Sequence, residues 1–272
     1  MRRFLLALAA FLCVSAAAHA ETTYERVIRT GTIRCGYYTW EPMLAKDINS
    51  GQMRGGLVEI MEEIGKRLSL KIEWTEEAPM TTYIEGTQSG RYDMGCGPLY
   101  VLGSRARLVH FVTPMLYSPM QMAVRADDHR FDSGNLSAFD SASLTLAVQE
   151  GEAGAIVTRQ KFPSAKLDAI PPMSEYSQLF QEVMTGKADA AVIAPSAFYE
   201  FEKTNPGKLR MLPEAVTNNE IAYGVPNNDF AFASMIDGAV REVVNDGTVA
   251  EIMRRHDMLK SMPVPVPSVR RE

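Results

Sequence analysis

The sequence predicts an α/β protein made of two similar lobes, each a mostly parallel sheet flanked by helices. Strand-like and helix-like hydrophobic patterns alternate along the chain, and such alternation implies crossover helices between parallel strands. The series restarts halfway, and SGRYD at residues 89–93 is echoed by TGKAD at residues 185–189. In each copy a glycine suits the left-handed residue that ends a helix, and a short apolar strand pattern follows.

The first half of the chain begins with a strand pattern at residues 33–37. Apolar residues then recur at helical spacing over 57–68, with charged residues on the opposite face, so this segment is expected to be an amphipathic helix. Its apolar positions are Leu57, Ile60, Met61, Ile64 and Leu68. The next predicted elements are a strand at 70–74, a short helix at 83–88, a strand at 92–96 and an extended segment at 120–125.

The second half repeats this order and adds two helices at its end. Its predicted elements are strands at 144–148, 166–170 and 188–193, helices at 155–160 and 176–185, an extended segment at 221–225, and helices at 230–245 and 248–256. Ser196 is expected to cap the helix that follows the third of these strands, because its hydroxyl can accept from a free backbone N–H.

The two extended segments predict that one lobe is built from both ends of the chain. Lobe 1 is expected to comprise residues 21–121 and 225–262, and lobe 2 residues 122–224. Two crossing segments make a hinge that can open and close around a ligand. The proline-rich tail at 263–272 cannot continue a helix and is expected to be flexible.

Residues 1–20 have the pattern of a cleaved secretory signal peptide. Arg2 and Arg3 precede an apolar run at 4–18, and Ala-His-Ala at 18–20 is a cleavage motif. The run is shorter than the ~20 residues that a membrane-spanning helix needs. The mature protein is therefore expected in the periplasm.

The charge and the cysteines of the chain give further information on its partners and on a possible disulfide. The chain carries 28 basic and 33 acidic residues with a formal net charge of −5, and the basic residues are scattered, so no nucleic-acid partner is expected. Cys35 and Cys96 each lie late in a predicted strand. In an oxidising compartment they could form a disulfide if those strands are neighbours, or remain two small buried thiols.

Several segments, in this order and spacing, resemble the amino-acid-type solute-binding proteins of ABC importers, often called family 3. They are residues 31–36, 56–60, 89–93, 104–114 and 186–190. The resemblance covers essentially all of the chain after residue 20. It implies a two-lobed periplasmic-binding-protein clamshell that closes on a small molecule and presents it to an inner-membrane permease. It also implies a monomer with no cofactor, no metal and no catalytic residue.

The resemblance assigns candidate ligand-binding residues in the first lobe. Arg105 matches the arginine that holds the ligand's carboxylate, and its planar guanidinium can donate two parallel hydrogen bonds. Tyr38 and Trp40 follow the first strand, whose carboxyl end should face the cleft, where aromatic rings can stack on a ligand or attract a cation. Tyr83 and Met80 lie near the start of the next helix, where the family often places an aromatic residue in the cleft, and each could equally be a core residue.

The chain also departs from the family pattern at three places. Tyr100 stands in the run that normally carries small hydroxyl residues, and Glu152-Ala153 replaces the usual threonine or serine pair in the second lobe. The acidic residue that takes the ligand's amine would fall at Ala194. Burying an unpaired ammonium is costly, so we expect a related carboxylate to fit better than a standard amino acid, unless Glu152 or Glu41 serves the amine.

Two other functional classes stay open at this point. The same fold serves as a periplasmic accessory or sensor protein. It also serves in cyclohexadienyl-dehydratase-like enzymes, whose elimination chemistry needs an acid near the ligand, for which Glu41 and Glu152 are the candidates.

Overall fold

The structure, a computed structural model, describes residues 21–172, 174–259 and 261–264. The predicted signal peptide at 1–20 and residues 265–272 of the predicted tail lie outside the described residues. Within the described ranges, no helix combines the length and apolar character needed to cross a membrane.

Strands and helices alternate along the chain, as the hydrophobic pattern predicts. The strands are β1 (Thr32–Tyr37), β2 (Ala45–Lys46), β3 (Met53–Arg54), β4 (Lys71–Glu77), β5 (Met94–Tyr100), β6 (Val109–Phe111), β7 (Leu116–Arg125), β8 (Thr145–Gln149), β9 (Lys166–Ile170), β10 (Ala190–Ile193) and β11 (Leu209–Pro226). The helices are α1 (Thr23–Thr30), α2 (Gly56–Leu68), α3 (Met80–Gln88), α4 (Gly103–Ala106), α5 (Ala153–Lys161), α6 (Tyr176–Met184), α7 (Pro195–Thr204), α8 (Phe230–Asn245) and α9 (Thr248–Arg255).

The strands pair in the order β4-β1-β5-β11-β7-β10-β8-β9, and β6 pairs with β11. Strand β1 is parallel to β4 and β5, and β8 is parallel to β9 and β10. Between these two parallel blocks, β7 and β11 run antiparallel to each other and connect the lobes. The predicted two-lobed α/β fold class is therefore confirmed.

The two crossing strands are longer than the sequence predicts. Strand β11 extends over 18 residues, where the pattern indicated only 221–225. Its first half contains Pro213, which cannot donate to a ladder, and the register of its pairing with β7 shifts near Ala215. Because of these irregularities, the first half of β11 lacks the regular alternation of apolar and polar residues by which a strand is predicted. The predicted lobe boundaries near residues 121 and 225 fall inside β7 and β11.

The core of the first lobe combines both ends of the chain. The apolar face of α2 is buried as predicted, with Leu57, Ile60, Met61 and Ile64 all at 0% exposure. It packs in one cluster with apolar residues of α8 and α9. The second lobe buries separate apolar clusters on the two faces of its sheet. The core of the first lobe thus depends on residues from both ends of the chain.

The internal echo in the sequence corresponds to the same local structure in each lobe. Gly90 and Gly186 follow α3 and α6 with φ values of 72° and 78°, in the left-handed region that favours glycine. Asp93 then accepts the backbone N–H of Arg34, and its own N–H donates to the Arg34 carbonyl. Asp189 forms the same pair of bonds with Thr145. Each aspartate thereby fixes its strand against the first strand of its own lobe.

The prediction that Ser196 caps α7 is wrong. Ala194 is the N-cap residue and Pro195 occupies the first turn, where its missing N–H costs no hydrogen bond. The Ser196 hydroxyl is buried and finds no partner among the described residues. The proline therefore decides where this helix begins.

The predicted flexible tail is not free at its start. The Tyr117 N–H, on the outer edge of β7, donates to the Pro263 carbonyl at 2.8 Å. Val264 packs on the first-lobe core, and Met262 just before it is fully buried. These contacts attach residues 263 and 264 to the first lobe, through an apolar anchor and a backbone hydrogen bond.

Cys35 on β1 and Cys96 on β5 are joined in a disulfide inside the first lobe. The two strands are direct neighbours, and the Cα atoms lie 5.2 Å apart, within the range that a disulfide requires. Both cysteines are fully buried.

Replacing both cysteines by alanine should lower the stability of the protein. The bond spans 61 positions, and closing a loop of that length stabilises the folded chain by about 4 kcal/mol in the chain-entropy view. We expect the melting temperature of C35A/C96A to fall by about 8–16 °C, at about 2–4 °C per kcal/mol. A reductant should reproduce this loss in the wild type and leave the variant unaffected. Equal melting temperatures of the two proteins would show that the bond is absent.

Candidate functional site

A cleft lies between the lobes, where the carboxyl ends of strands from both lobes face each other. Residues at or just after the ends of β1, β5, β8 and β10 line its inner part, as expected for ligand sites in open α/β sheets. This inner cavity has a volume of about 30 Å³. Its lining residues are Tyr38, Trp40, Met80, Leu99, Tyr100, Arg105, Met120, Val148, Gln149, Glu152, Ala153, Gly154, Tyr176, Leu179, Val192, Ile193, Ala194 and Ala197.

The inner cavity brings together most of the residues selected from the sequence. They are Tyr38, Trp40, Tyr100, Arg105, Glu152, Ala153 and Ala194. Met80, weighed as a core or cleft residue, also lines the inner cavity.

Tyr83 does not belong to this lining. It is 1% exposed, and its hydroxyl lies within hydrogen-bond distance of the Gly97 N–H and carbonyl inside the first lobe. Its ring stands edge-on behind Tyr38, with centroids 5.2 Å apart. The structure therefore places Tyr83 inside the first lobe, where its side chain supports the cleft from behind, and not in the lining where the sequence predicted it.

Aromatic side chains form one wall of the cavity. The rings of Tyr38 and Trp40 are stacked with centroids 6.3 Å apart, and Tyr100 follows Trp40 at 6.3 Å. The hydroxyl of Tyr38 donates to the Pro98 carbonyl, and that of Tyr100 pairs with Ser118. Burial raises the pKa of Tyr100 to about 12, so the phenol stays neutral at physiological pH. This wall offers π-faces that suit apolar or cationic groups.

Arg105 supplies a buried positive charge to the cavity. It lies on the single-turn helix α4, immediately after β5, and is 5% exposed. Its Nη2 donates to the Gly151 carbonyl of the second lobe at 3.2 Å. Burial lowers the pKa of the guanidinium from its ordinary value, but arginine remains charged. The side chain is thus held across the cleft and keeps further donors for a ligand.

Glu152 supplies a negative charge in the same cavity, from the N-cap position of α5. Burial raises the pKa of its carboxyl, while Arg105, the Tyr176 phenol and the Ala153 N–H oppose this rise. None of the ion pairs in the described part of the chain joins Glu152 to Arg105. The cavity therefore holds two opposite charges that act on each other electrostatically but form no ion pair.

The sequence reasoning missed Gln149 and Tyr176. Gln149 is the last residue of β8, a strand-end position like the one that identified Tyr38. Tyr176 is the first residue of α6, a helix-start position like that of Met80. The rule that strand ends face the cleft would have found Gln149 if it had been applied equally to the second lobe. Gln149 is 6% exposed, and its Nε2 donates to the Ser174 carbonyl at 2.8 Å.

A wider groove of about 510 Å³ continues outward from the inner cavity. Both spaces are lined by Tyr38, Met80, Gln149, Glu152, Tyr176 and Ala197, which form the neck between them. Glu41 lies in this outer groove, where it forms an ion pair with Arg54 at 2.6 Å. Glu41 is thus removed from the cavity that holds Arg105. In the described ranges, no group of three or more His, Cys, Asp or Glu side chains could hold a metal ion.

The lobes also touch directly beside Arg105. Gly151 has a φ of 83°, and a Cβ atom at this position would lie 2.9 Å from Cγ2 of Thr81 on α3 of the opposite lobe. Only glycine therefore allows this close approach, and the same residue offers its carbonyl to Arg105. The contact makes residue 151 part of the closed arrangement of the lobes.

Comparisons with known proteins agree with this architecture. The sequence profile of the family described as bacterial extracellular solute-binding proteins, family 3, matches residues 33–258. A probable amino-acid ABC transporter-binding protein of Haemophilus influenzae is 22% identical over 244 residues, covering 89% of this chain and 90% of the relative. The probable amino-acid-binding protein YxeM of Bacillus subtilis is 22% identical over 209 residues, covering 76% of this chain and 77% of YxeM.

A solved structure shows the same fold. The ancestral amino acid-binding protein AncCDT-1, described as a precursor of cyclohexadienyl dehydratase, superposes with a TM-score of 0.72 at 22% identity. The superposition covers 86% of this chain and 98% of AncCDT-1. At this level of identity the likeness concerns the fold alone.

Replacing Gly151 by alanine should weaken ligand binding by opposing closure. The new Cβ meets Thr81 across the cleft, and such overpacking costs about 1–3 kcal/mol, or about 5- to 150-fold in affinity. Gly134→Ala is the matched control, because Gly134 also has a positive φ of 67° but no atom within 4 Å of the added Cβ. Calorimetric titration should show a loss of affinity in G151A only, with partial rescue in G151A/T81S. Equal affinities of G151A and G134A would exclude a closure effect.

Replacing Glu152 by glutamine should stabilise the ligand-free protein at neutral pH. The folded state holds the Glu152 proton more tightly than the unfolded chain does, so this group contributes stability below its ordinary pKa of 4.5 and loses it as pH rises through the raised pKa. The stability gain of E152Q should therefore be present at pH 7–8 and absent near pH 4. Chemical denaturation at the two pH values measures it. A loss of stability at pH 7 would show that the charge is structurally compensated.

Proposed function

The chain belongs to the bacterial extracellular solute-binding proteins, family 3, and from this premise we propose that it is the solute-capturing component of an ABC importer. It acts outside the cytoplasmic membrane, in the periplasm, and delivers its closed, loaded form to a membrane permease. The ligand is a small amino-acid-type compound that carries both a carboxylate and an amine.

The observation that supports this ligand class is the presence of two opposite charges in one cavity that form no ion pair with each other. Arg105 can donate to a carboxylate, and Glu152 can accept from an ammonium group. The sequence alone favoured a carboxylate without an amine, because Ala194 stands where the family has its acidic residue. Glu152 shares the cavity with Arg105 and can supply the missing counter-charge from the other side of the cleft.

Ligand capture on this proposal is an electrostatic exchange. Holding a buried charge without a partner is costly, and the cost is removed when a group of opposite charge enters. A zwitterion satisfies Arg105 from the first lobe and Glu152 from the second at the same time. Because each charge belongs to a different lobe, the bound ligand connects the lobes and stabilises the closed form.

The cavity geometry also sets a size limit. An enclosed space of about 30 Å³ corresponds to about two water molecules by the usual criterion. Only a compact head group fits between Arg105 and Glu152, and any longer part of the ligand continues through the neck. The aromatic wall of Tyr38, Trp40 and Tyr100 covers the ligand's apolar atoms.

Arg105→Ala should lower the affinity for a carboxylate-bearing ligand by about 10- to 100-fold. The loss follows from one charged hydrogen-bonding partner, which is worth about 1.5–3 kcal/mol. The measurement is a thermal-shift screen of the mature protein against α-amino acids, amines and non-amino carboxylates, followed by titration of the best ligand. At a hundredfold excess over Kd, a true ligand stabilises by about 2.7 kcal/mol.

Arg107→Ala is the matched control, since Arg107 lies two residues further along the chain and is exposed. It should leave the affinity unchanged. An affinity of Arg105→Ala within twofold of the wild type would exclude the carboxylate site. A response to non-amino carboxylates alone would exclude the role of Glu152, and turnover of prephenate or arogenate would favour the enzyme alternative.

A further inference from the structure

The outer groove has an uneven distribution of charge. Carboxylates of both lobes line it, while no lysine, arginine or histidine does so among the described residues. The acidic residues are Glu41, Glu77, Glu152, Glu175 and Glu200. Glu41 is paired with Arg54 and Glu200 with Lys203, both at 2.6 Å. Glu77 and Glu175 have no basic partner within ion-pair distance in the part of the chain that the structure describes.

Glu77 and Glu175 belong to opposite sides of the groove. Glu77 is the last residue of β4 in the first lobe, and Glu175 is the N-cap of α6 in the second lobe. Glu77 accepts a hydrogen bond from the Thr39 hydroxyl at 2.8 Å, which leaves its charge in place. Both residues are exposed and line the same groove, so a cation that lies between the two carboxylates would be attracted by both.

An independent observation at the neck also indicates a nitrogen-bearing ligand. Gln149 lines both the inner cavity and the groove, and its side chain is almost fully buried. Its Nε2 donates a hydrogen bond to the Ser174 carbonyl, whereas its Oε1 accepts no hydrogen bond from any described residue. An unpaired buried acceptor of this kind is unfavourable until a donor reaches it. An N–H group of a ligand passing through the neck would be such a donor.

We propose that the ligand carries a second positive charge on an extended arm, which passes Gln149 and lies in the outer groove between Glu77 and Glu175. This inference rests on the proposed function, because the carboxylate and amine of the head group occupy the inner cavity. The ligand class is thus an α-amino acid with a long basic side chain. Tyr38 and Tyr176 at the neck present aromatic groups along the path of the arm.

The test compares L-lysine with L-norleucine, which shares the head group and the aliphatic chain but lacks the terminal cation. Isothermal titration of the mature wild-type protein should show L-lysine binding at least about tenfold more tightly, as expected for a charged hydrogen-bonded contact. In E77Q/E175Q the affinity for L-lysine should fall to within about twofold of that for L-norleucine. The affinity for L-norleucine should not change.

E85Q/E202Q is the matched control, because it removes one carboxylate from each lobe at positions that line neither space. It should keep the preference for L-lysine. Equal binding of the two amino acids by the wild type, or a preference that survives in E77Q/E175Q, would overturn the extended-arm inference and leave the proposed function intact. Failure of both amino acids to bind would refute the zwitterion site, and with it both proposals.

Discussion

The antiparallel pairing of β7 with β11 is the constraint on which the rest of the structure depends. The two strands pair from Leu116–Ile221 at one end to Arg125–Leu209 at the other, and they carry the chain between the two parallel blocks of the sheet. Because both crossings are strands in one ladder, the lobes can move relative to each other only by bending that ladder. The C-terminal segment adds a third contact there, through the bond from Tyr117 to Pro263. The paired strands therefore fix which surface of each lobe lines the cleft.

Within this frame, the cleft contains polar and charged groups whose hydrogen-bonding capacity the protein uses only in part. Arg105 and Glu152 line the same cavity without forming an ion pair. The side-chain Oε1 of Gln149 accepts no hydrogen bond from a described residue. Such groups reduce the stability of the empty protein, because each lost water contacts on burial. They are useful only if a ligand of complementary charge replaces that water. The charges at positions 105 and 152 therefore lower the stability of the empty protein and raise its affinity for a ligand of complementary charge.

Asp93 and Asp189 show the opposite use of charge. Asp93 is surrounded by Arg26, Arg34 and the Arg34 N–H, and Asp189 by Arg130 and the Thr145 N–H. These carboxylates are fully paired and serve to connect elements within one lobe. Their repetition about one hundred residues apart gives each lobe the same internal anchor. The protein thus separates structural charges, which are neutralised inside the lobes, from recognition charges, which meet only across the cleft.

The sequence by itself determined the alternation of strands and helices, the apolar face of α2, the glycine helix ends, and the strand-end position of Tyr38, Trp40, Tyr100 and Arg105. These follow from local patterns of hydrophobicity and backbone preference, which a single segment contains. The tertiary structure alone decided that Tyr83 turns inward, that Tyr176 joins the site, that β11 continues past Pro213, and that Glu152 rather than Glu41 lines the cavity with Arg105. Each of these depends on contacts between residues far apart in the chain. A pattern within one segment cannot contain them, because the partner that decides the outcome lies in the opposite lobe or on a neighbouring strand.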